Sequence, residues 1–164
     1  MRDWLPEKFD KRYPHLKTRQ KVIRAIRRYF DEQDFDEVQT PILQTAPGCE
    51  VHLHAFSTEL LGPDRRSLGN KWLHTSPEFA MKKLIVAGVG KQYQICSVFR
   101  NAEGSSRHSP EFTMIEWYRV GYDYKQIMQD CVELLQAVAT AANVTQFKYQ
   151  GVICDPFASA EYLT

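Results

Sequence analysis

The chain has 164 residues, of which 43% are hydrophobic, 25% are charged and 12% are aromatic, and its formal net charge is +1. This composition is typical of a globular protein and excludes a disordered or fibrous chain. The length predicts one domain that buries a substantial core. The N-terminal residues are charged, unlike a signal peptide, and no apolar stretch is long enough to cross a bilayer. We therefore expect a cytoplasmic protein with no membrane partner.

Basic side chains are concentrated near the N-terminus. Residues 1–31 hold 10 basic and 4 acidic side chains, a net charge of +6, whereas residues 32–164 hold 11 basic and 16 acidic ones, a net charge of −5. Such a segment either contacts an acidic partner, such as RNA or an acidic protein, or is the solvated face of an Arg-rich helix. The charge pattern leaves both interpretations open.

The four cysteines show no pairing pattern. They stand at positions 49, 96, 131 and 154, and none of them belongs to a CxxC pair of the kind that binds zinc. The sequence therefore predicts reduced thiols, most of them buried, and no metal site.

The first predicted element is an amphipathic helix over residues 18–32. Prolines at positions 6 and 14 predict an irregular N-terminal arm over residues 1–17, and Thr18 is a suitable N-cap for the helix that follows. The apolar stripe of this helix consists of Val22, Ile23, Ile26, Tyr29 and Phe30. The predicted domain comprises residues 18–164.

Short elements follow up to position 90. The predicted strands are residues 37–40, 51–56 and 71–74, and the predicted loops are residues 44–50 and 62–69. A helix then begins at Ser76-Pro77-Glu78, because serine caps, proline suits the first helical position and glutamate complements the helix dipole. Glycines at positions 88 and 90 end this helix.

The second half of the chain predicts a long hairpin and a long helix. Side chains alternate along residues 91–100 and 111–120, so a polar loop joins two antiparallel strands. Asp123 caps a helix that reaches Ala142, and a last strand is predicted over residues 146–149. The buried stripe of the helix is predicted to be Ile127, Met128, Cys131, Leu134, Leu135 and Val138. The mixture predicts an α+β fold with an antiparallel sheet.

The second strand of the hairpin carries side chains with distinctive chemistry. Alternation places four of them on one face, namely Phe112, Met114, Glu116 and Tyr118. A ring, a carboxylate and a phenol on one face suit a cationic, partly flat ligand, and Arg100 and Arg107 are able to grip a polyphosphate. The alternative is a half-buried sheet with a charged tip, and the spacing alone does not decide between them.

Several segments occur in an order that is characteristic of a known family. Residues 99–101 (Phe-Arg-Asn), 107–113 (Arg-His-Ser-Pro-Glu-Phe-Thr) and 116–118 (Glu-Trp-Tyr) resemble motif 2 of class II aminoacyl-tRNA synthetases of the lysyl type. Residues 37–41 (Glu-Val-Gln-Thr-Pro) resemble motif 1, and residues 75–78 (Thr-Ser-Pro-Glu) resemble the segment that receives the amino group of the amino acid. The resemblance implies an antiparallel sheet flanked by helices, incomplete because only motifs 1 and 2 are present.

Within that superfamily the chain is most similar to a family of short paralogues, the elongation factor P (R)-β-lysine ligases. Only 17 residues precede the motif 1 helix, too few for the anticodon-binding barrel of lysyl-tRNA synthetases. Residues 75–78 and 116–119 are also closer to the paralogues. The resemblance implies a homodimer, formed through residues 18–43, that activates lysine or (R)-β-lysine with ATP and transfers it to a lysine of elongation factor P.

The same resemblance implies roles for individual residues. Arg100 is the catalytic residue that holds the α-phosphate, and Phe112 stacks on adenine. The implied ATP-binding residues are Arg100, Asn101, Ala102, Glu103, Arg107, His108, Ser109 and Phe112. The implied substrate-binding residues are Ser76, Pro77, Glu78, Glu116 and Tyr118. Glu78 receives one amine, and Tyr118 with Glu116 receives the other.

The chain departs from the family at two positions and in its extent. Ala102 stands where the family often has Glu, with Glu103 next to it, and Ser109 stands where the family usually has Asn. Motif 3 and the acidic ligands of Mg²⁺ have no counterpart in these residues, so we expect the 164-residue chain alone to be inactive. Two alternatives stay open, a fragment of a tRNA-charging lysyl-tRNA synthetase and a non-catalytic nucleotide-binding module.

Overall fold

The computed structural model describes residues 5–162, which form three helices and eight strands. In chain order these are α1 Pro6–Glu32, β1 Asp36–Glu37, β2 Leu43–Gln44, β3 Ser57–Leu61, β4 Ser67–Leu73, α2 Glu78–Val86, β5 Lys91–Phe99, β6 Glu111–Arg119, α3 Tyr124–Ala142, β7 Phe147–Tyr149 and β8 Val152–Cys154. They divide into two compact units, one made of the residues up to Asp34 and from Gly121 onwards, the other of Phe35–Val120.

The first unit is held together by packing of α1 on α3. Of the apolar stripe predicted for α1, Ile26, Tyr29 and Phe30 are buried, and Val22 and Ile23 are half-buried. The Tyr29 hydroxyl lies 3.1 Å from Glu133 Oε2 and 3.3 Å from Asp130 Oδ1, so its one proton is shared between two carboxylate acceptors. Burial, reinforced by these two carboxylates, raises the pKa of Tyr29 well above its ordinary range.

The start of α1 was predicted wrongly. The helix begins at Pro6, so the irregular arm expected over residues 1–17 is helical from that residue onwards, and Thr18 lies inside the helix. Pro6 suits a helix start because its missing N–H would have no partner there. Pro14 is tolerated because residues 6–21 are exposed, so water is able to satisfy the freed carbonyl. Thr18 Oγ1 donates to the Pro14 carbonyl at 3.1 Å instead of capping.

The N-cap of α3 is confirmed, whereas part of its predicted buried stripe is wrong. The Asp123 side chain accepts from the backbone N–H groups of Lys125 at 2.9 Å and Gln126 at 3.3 Å. The buried residues of α3 are Asp130, Leu134 and Ala139, while Cys131 and Leu135 are exposed. The buried line is displaced because α3 faces α1 through Asp130 and Glu133, which bind Tyr29.

A short hairpin follows α3 in the same unit. The strand predicted over residues 146–149 is present as β7, and β8 pairs with it in antiparallel register. Gln150 and Gly151 both have positive φ, as the two central residues of a tight hairpin turn require.

The second unit contains the long hairpin. Strands β5 and β6 pair antiparallel over nine residues, from Lys91 opposite Arg119 to Phe99 opposite Glu111. Strand β1 pairs parallel with β5, so β5 is the central strand of the sheet order β1-β5-β6. Phe35, Met81, Tyr93 and Val98 form the buried apolar core. The α+β class with an antiparallel hairpin is therefore confirmed, and β1 adds a parallel strand at one edge of the sheet.

A second sheet of this unit has the order β2-β4-β3 and is antiparallel. The strand predicted over residues 51–56 is wrong, since β3 begins at Ser57. The loop predicted over residues 62–69 is shorter than expected, because β4 already begins at Ser67 and only residues 62–66 connect the two strands. Arg65 N donates to Gly62 O at 2.9 Å, and Arg65 has a φ of 62°. Most side chains of β3 and β4 are exposed, so their sequence lacks the apolar alternation that predicts strands.

Candidate active site

The strand register places the predicted chemical groups on one face of the hairpin. Phe112 lies opposite Val98, and Glu116 lies opposite Gln94. Opposed residues of an antiparallel pair share a face, and so do residues two apart on one strand. The shared face predicted for Phe112, Met114, Glu116 and Tyr118 is therefore the observed one.

Arg100 lies at the end of this face, where β5 leads into the loop. Its backbone N–H donates to Pro110 O at 2.9 Å, which extends the hairpin pairing by one residue. Its guanidinium carbon is 5.2 Å from the centroid of the Phe112 ring, within the range of a cation–π contact. Its Nε donates to the Thr75 carbonyl at 3.4 Å. A positive charge and an aromatic face thus meet where β5 enters the hairpin loop.

The turn out of β5 is fixed by backbone contacts. Asn101 N donates to His54 O at 2.6 Å, and the Asn101 side chain accepts from Ala102 N at 2.9 Å. Ala102 has a φ of 60°, in the left-handed region, where an alanine costs about 1–2 kcal/mol. The backbone therefore turns sharply at the position where the family often has Glu. Glu103, the neighbour suggested as a substitute, is half-buried.

The hairpin loop forms a shallow concavity of about 400 Å³ lined by Ala102, Glu103, Gly104, Ser105 and His108. The Ser105 hydroxyl is 2.9 Å from His108 Nδ1 and accepts from the backbone N–H groups of Arg107 and His108, both at 3.2 Å. These bonds order the loop around one serine hydroxyl. The side chains of Arg107, His108 and Ser109 are exposed, so they are accessible to a ligand.

Residues 74–78 connect the second sheet to the hairpin. His74 is 1% exposed, its backbone O accepts from Phe99 N at 3.0 Å, and its Nε2 is 2.8 Å from Ser97 O. Its Nδ1 is buried without a hydrogen-bond partner among the described residues. The following Thr75 carbonyl accepts from Arg100, so this short segment joins the predicted amine-binding residues to the predicted phosphate-binding arginine.

Ser76, Pro77 and Glu78 differ in their environments. Pro77 is among the fully buried side chains, and it immediately precedes α2, which starts at Glu78 rather than at the proline. Ser76 Oγ accepts from Glu78 N at 3.4 Å, a long contact in place of the predicted cap. The Glu78 side chain remains 32% exposed. Of the three residues, Glu78 presents the group best suited to bind an ammonium.

Glu116 and Tyr118 form one hydrogen-bonded unit on the hairpin face, in which the Tyr118 hydroxyl donates to Glu116 Oε1. Burial raises the pKa of Glu116 above its ordinary value, and the charges of Glu78 and Glu50 raise it further, while Tyr118 and Lys82 oppose the shift. Burial, followed by the bond to Glu116, raises the pKa of Tyr118 far above its ordinary range. The phenol is therefore a fixed donor, and a cationic ligand would stabilise the carboxylate.

Two charged residues beside this unit were not predicted from the sequence. Lys82 Nζ lies 2.5 Å from Glu78 Oε1, one helical turn away on α2. Glu50 folds back over Gly48, because a Cβ at Gly48 would lie 2.5 Å from Glu50 Oε2 and 3.0 Å from Thr75 Oγ1. The four-residue spacing of Glu78 and Lys82 is visible in the sequence. The position of Glu50 depends on loop conformation and leaves no pattern.

The cysteines are free thiols, and their predicted burial is wrong for most of them. Cys49, Cys131 and Cys154 are exposed and Cys96 is half-buried. Three of the four lie in a loop, on the outer side of α3 or in the short β8 strand, outside the packed faces. Within residues 5–162, no group of three or more His, Cys, Asp or Glu side chains is placed to hold a metal ion. No helix in that range is long and apolar enough to cross a membrane.

The residues present suit ATP as a ligand. Arg100 and Arg107 supply guanidinium groups that match phosphate oxygens, and the ring of Phe112 is half-buried on the same hairpin. The carboxylates of Glu78 and Glu116 suit an amine.

Comparison with known families agrees with this arrangement. Residues 4–163 match the family model described as tRNA synthetases class II (D, K and N). The chain therefore belongs to the class II tRNA synthetase family, and its α+β fold is that of a class II synthetase-like domain.

Curated relatives point to one branch of that family. The chain is 45% identical over 137 residues to the elongation factor P (R)-β-lysine ligase of Mannheimia succiniciproducens, which covers 84% of this chain and 42% of the relative. It is 42% identical over 148 residues to the ligase of the same name from Avibacterium paragallinarum, a match that covers 90% of this chain and 44% of the relative. It is 41% identical over 148 residues to the ligase of that name from Vibrio cholerae, a match that covers 90% of this chain and 45% of the relative. The chain spans less than half the length of the curated relatives it matches.

Proposed function

We propose that this chain is the part of an ATP-dependent ligase that binds lysine or (R)-β-lysine, activates it as an adenylate and passes it to a lysine of elongation factor P. The observation that carries the proposal is the hairpin face, which joins Arg100 and Phe112 at one end to Glu116 and Tyr118 further along β6. Relatives named for this activity match 84% and 90% of the chain.

The proposed chemistry needs charge stabilisation more than proton transfer. A carboxylate oxygen of the amino acid attacks the α-phosphorus of ATP, the bond to the bridging oxygen breaks, and pyrophosphate leaves. Arg100 neutralises the α-phosphate during this step, and Arg107 and His108 contact the outer phosphates. The amine of the acceptor lysine then attacks the carbonyl carbon, and AMP leaves. Asn101, Ala102, Glu103 and Ser109 border the nucleotide.

The amine-binding groups are proposed from the same geometry. Glu78 receives one ammonium of the substrate, while Glu116, held by Tyr118, receives the other. Ser76 and Pro77 set the start of α2 and thereby the position of Glu78. We propose that the Mg²⁺ ions that accompany ATP take their protein ligands from residues outside this chain.

The proposal also covers the oligomeric state and the cellular location of the ligase. We propose a homodimer through residues 18–43, where Ile42 and Leu43 are 37% and 42% exposed and would be covered by a partner. Light scattering that shows only monomers for the ligase carrying this chain would contradict it. A cytoplasmic location follows from the proposed acceptor, which is a translation factor.

The identity of the molecule that accepts the activated amino acid distinguishes the proposed function from its alternatives. A chimera in which this chain replaces the matching 42% of the Mannheimia succiniciproducens ligase supplies the remaining residues. With ATP, Mg²⁺ and (R)-β-lysine, it is expected to add one β-lysyl group to elongation factor P, detected by mass spectrometry. Charging of tRNA instead would support a lysyl-tRNA synthetase, and nucleotide binding without either product would support a non-catalytic module. The unmodified relative is the positive control.

A further inference from the structure

The carboxylate proposed to receive a substrate amine already has a cation in contact with it. Lys82 Nζ is 2.5 Å from Glu78 Oε1, and the two residues lie one turn apart on α2. The Lys82 side chain is 54% exposed and the Glu78 side chain 32% exposed. Hydrogen bonding and the charge of Glu78 raise the pKa of Lys82, so the ammonium form is favoured.

The charge of Lys82 also acts on a carboxyl group outside its own helix. The Lys82 charge lowers the pKa of Glu116 on β6, whereas Glu78 and Glu50 raise it. In turn, Glu116 adds to the rise in the pKa of Lys82. The ammonium of Lys82 therefore offsets part of the repulsion among carboxylates that come from three different segments of the second unit.

The position of Lys82 is fixed by its helix, while its side chain is 54% exposed. Met81 is fully buried and its carbonyl accepts from Gln92 Nε2 at 2.8 Å, which anchors α2 against β5. Lys82 follows Met81 and is exposed, so its flexible stem is free to swing into solvent. A half-exposed pair four residues apart contributes little free energy, so another cation is able to replace it.

We propose that Lys82 is the resident counter-ion of the amine site: its ammonium occupies the Glu78 carboxylate in the empty site, and the ammonium of the incoming amino acid displaces it. This inference rests on the proposed function, because it takes lysine or (R)-β-lysine as the ligand. It assigns Lys82 to the charge balance of the site, since an ammonium of the ligand replaces the positive charge that Lys82 withdraws from Glu78.

Binding measurements on the 164-residue chain test the displacement. L-lysine and (R)-β-lysine are titrated by calorimetry into the unsubstituted chain, Lys82→Met and the matched control Lys83→Met, at neutral pH and low salt. Lys83 is also exposed, and it neighbours Lys82 on α2. We expect Lys82→Met to bind both ligands about two- to fivefold more tightly, because no ammonium has to leave Glu78, and Lys83→Met to stay within about 1.5-fold.

The outcomes separate this inference from the proposed function. If the unsubstituted chain binds lysine and Lys82→Met binds it equally or more weakly, the counter-ion role is overturned and the proposed function stands. If lysine binds to none of the three chains, the counter-ion role is overturned, and the acceptor experiment on the chimera decides the proposed function.

A second measurement follows Lys82 directly. The ¹⁵N resonance of its ammonium in the unsubstituted chain is expected to move towards that of a solvated lysine when the ligand saturates the site. A resonance that keeps its position at saturation overturns the inference.

Discussion

The guanidinium carbon of Arg100 lies 5.2 Å from the centroid of the Phe112 ring, although the loop of residues 101–110 separates them along the chain. The contact follows from the hairpin register, which puts Phe112 opposite Val98, two residues before Arg100. The antiparallel pairing of β5 and β6 thus brings together Arg100, which we assign to phosphate binding, and Phe112, which we assign to adenine binding.

Replacement of Arg100 by alanine should impair adenylate formation. The substitution removes a positive charge from the attacked phosphate, and the loss of such a contact typically costs at least about 100-fold in rate. ATP–pyrophosphate exchange by the chimera measures the loss of rate. Arg100→Lys is the variant that keeps the positive charge but lacks the paired N–H donors of the guanidinium group. Exchange within a few-fold of the unsubstituted chimera would show that Arg100 has another role.

Replacement of Phe112 by leucine should weaken ATP binding with little effect on amino acid binding. Stacking of a base on an aromatic ring contributes roughly 1–3 kcal/mol, so a loss of about fivefold or more in ATP affinity is expected. Titration of the chimera with ATP and with lysine separates the two effects, and Phe112→Tyr is the control that retains a ring. Equal losses for both ligands would indicate a general disruption of the hairpin.

The stability of the chain should respond to pH through Glu116. Burial raises the pKa of this carboxyl above its ordinary value of 4.5, so the folded state binds its proton more tightly than the unfolded state does. Stability is therefore lost as pH rises from the ordinary value through the raised one. Glu116→Gln cannot ionise and should lose less stability across that window.

Urea denaturation at pH 4 and pH 7 measures this effect as the change in unfolding free energy between the two values. Glu111→Gln, which alters an exposed residue of the same strand, is the matched control. A change that is the same in Glu116→Gln and in the unsubstituted chain would contradict the assigned cause.

Replacement of Asp123 by alanine should destabilise the first unit. Its side chain accepts two backbone N–H groups at the start of α3, and the loss of an N-cap of this kind costs about 1 kcal/mol. Chemical denaturation followed by circular dichroism measures the loss. Asp123→Ser restores a capping oxygen and should recover most of it, and a serine variant as unstable as the alanine variant would point to another cause.

The sequence predicted the elements whose side chains follow a clear period and missed those without one. The alternation in β5 and β6 and the spacing of Ile26, Tyr29 and Phe30 both reflect burial of one face. Strands β3 and β4 are largely exposed, and the start of α1 at Pro6 depends on solvent exposure around Pro14, so neither leaves a pattern. The prediction therefore failed in exposed elements, where no buried face imposes a period on the side chains.

The candidate site was predictable to a similar extent. Motif residues such as Arg100 and Phe112 could be assigned because a resemblance supplied their roles, and the register then brought them together. Glu50 reaches the site only because its loop folds back over Gly48. Lys82 stands four residues after Glu78, but such pairs also occur on solvated helices, so the spacing alone does not indicate a site.

ATP–pyrophosphate exchange measured side by side on residues 1–164 and on the chimera tests the central claim most directly. With ATP, Mg²⁺ and lysine or (R)-β-lysine, we predict exchange by the chimera and none above background by the shorter chain, because the rest of the phosphate-binding charges and the metal ligands are proposed to lie outside it. Exchange by residues 1–164 at the rate of the chimera would contradict the proposed division of the catalytic groups. Absence of exchange by the chimera, with the unmodified relative active, would contradict the proposed function.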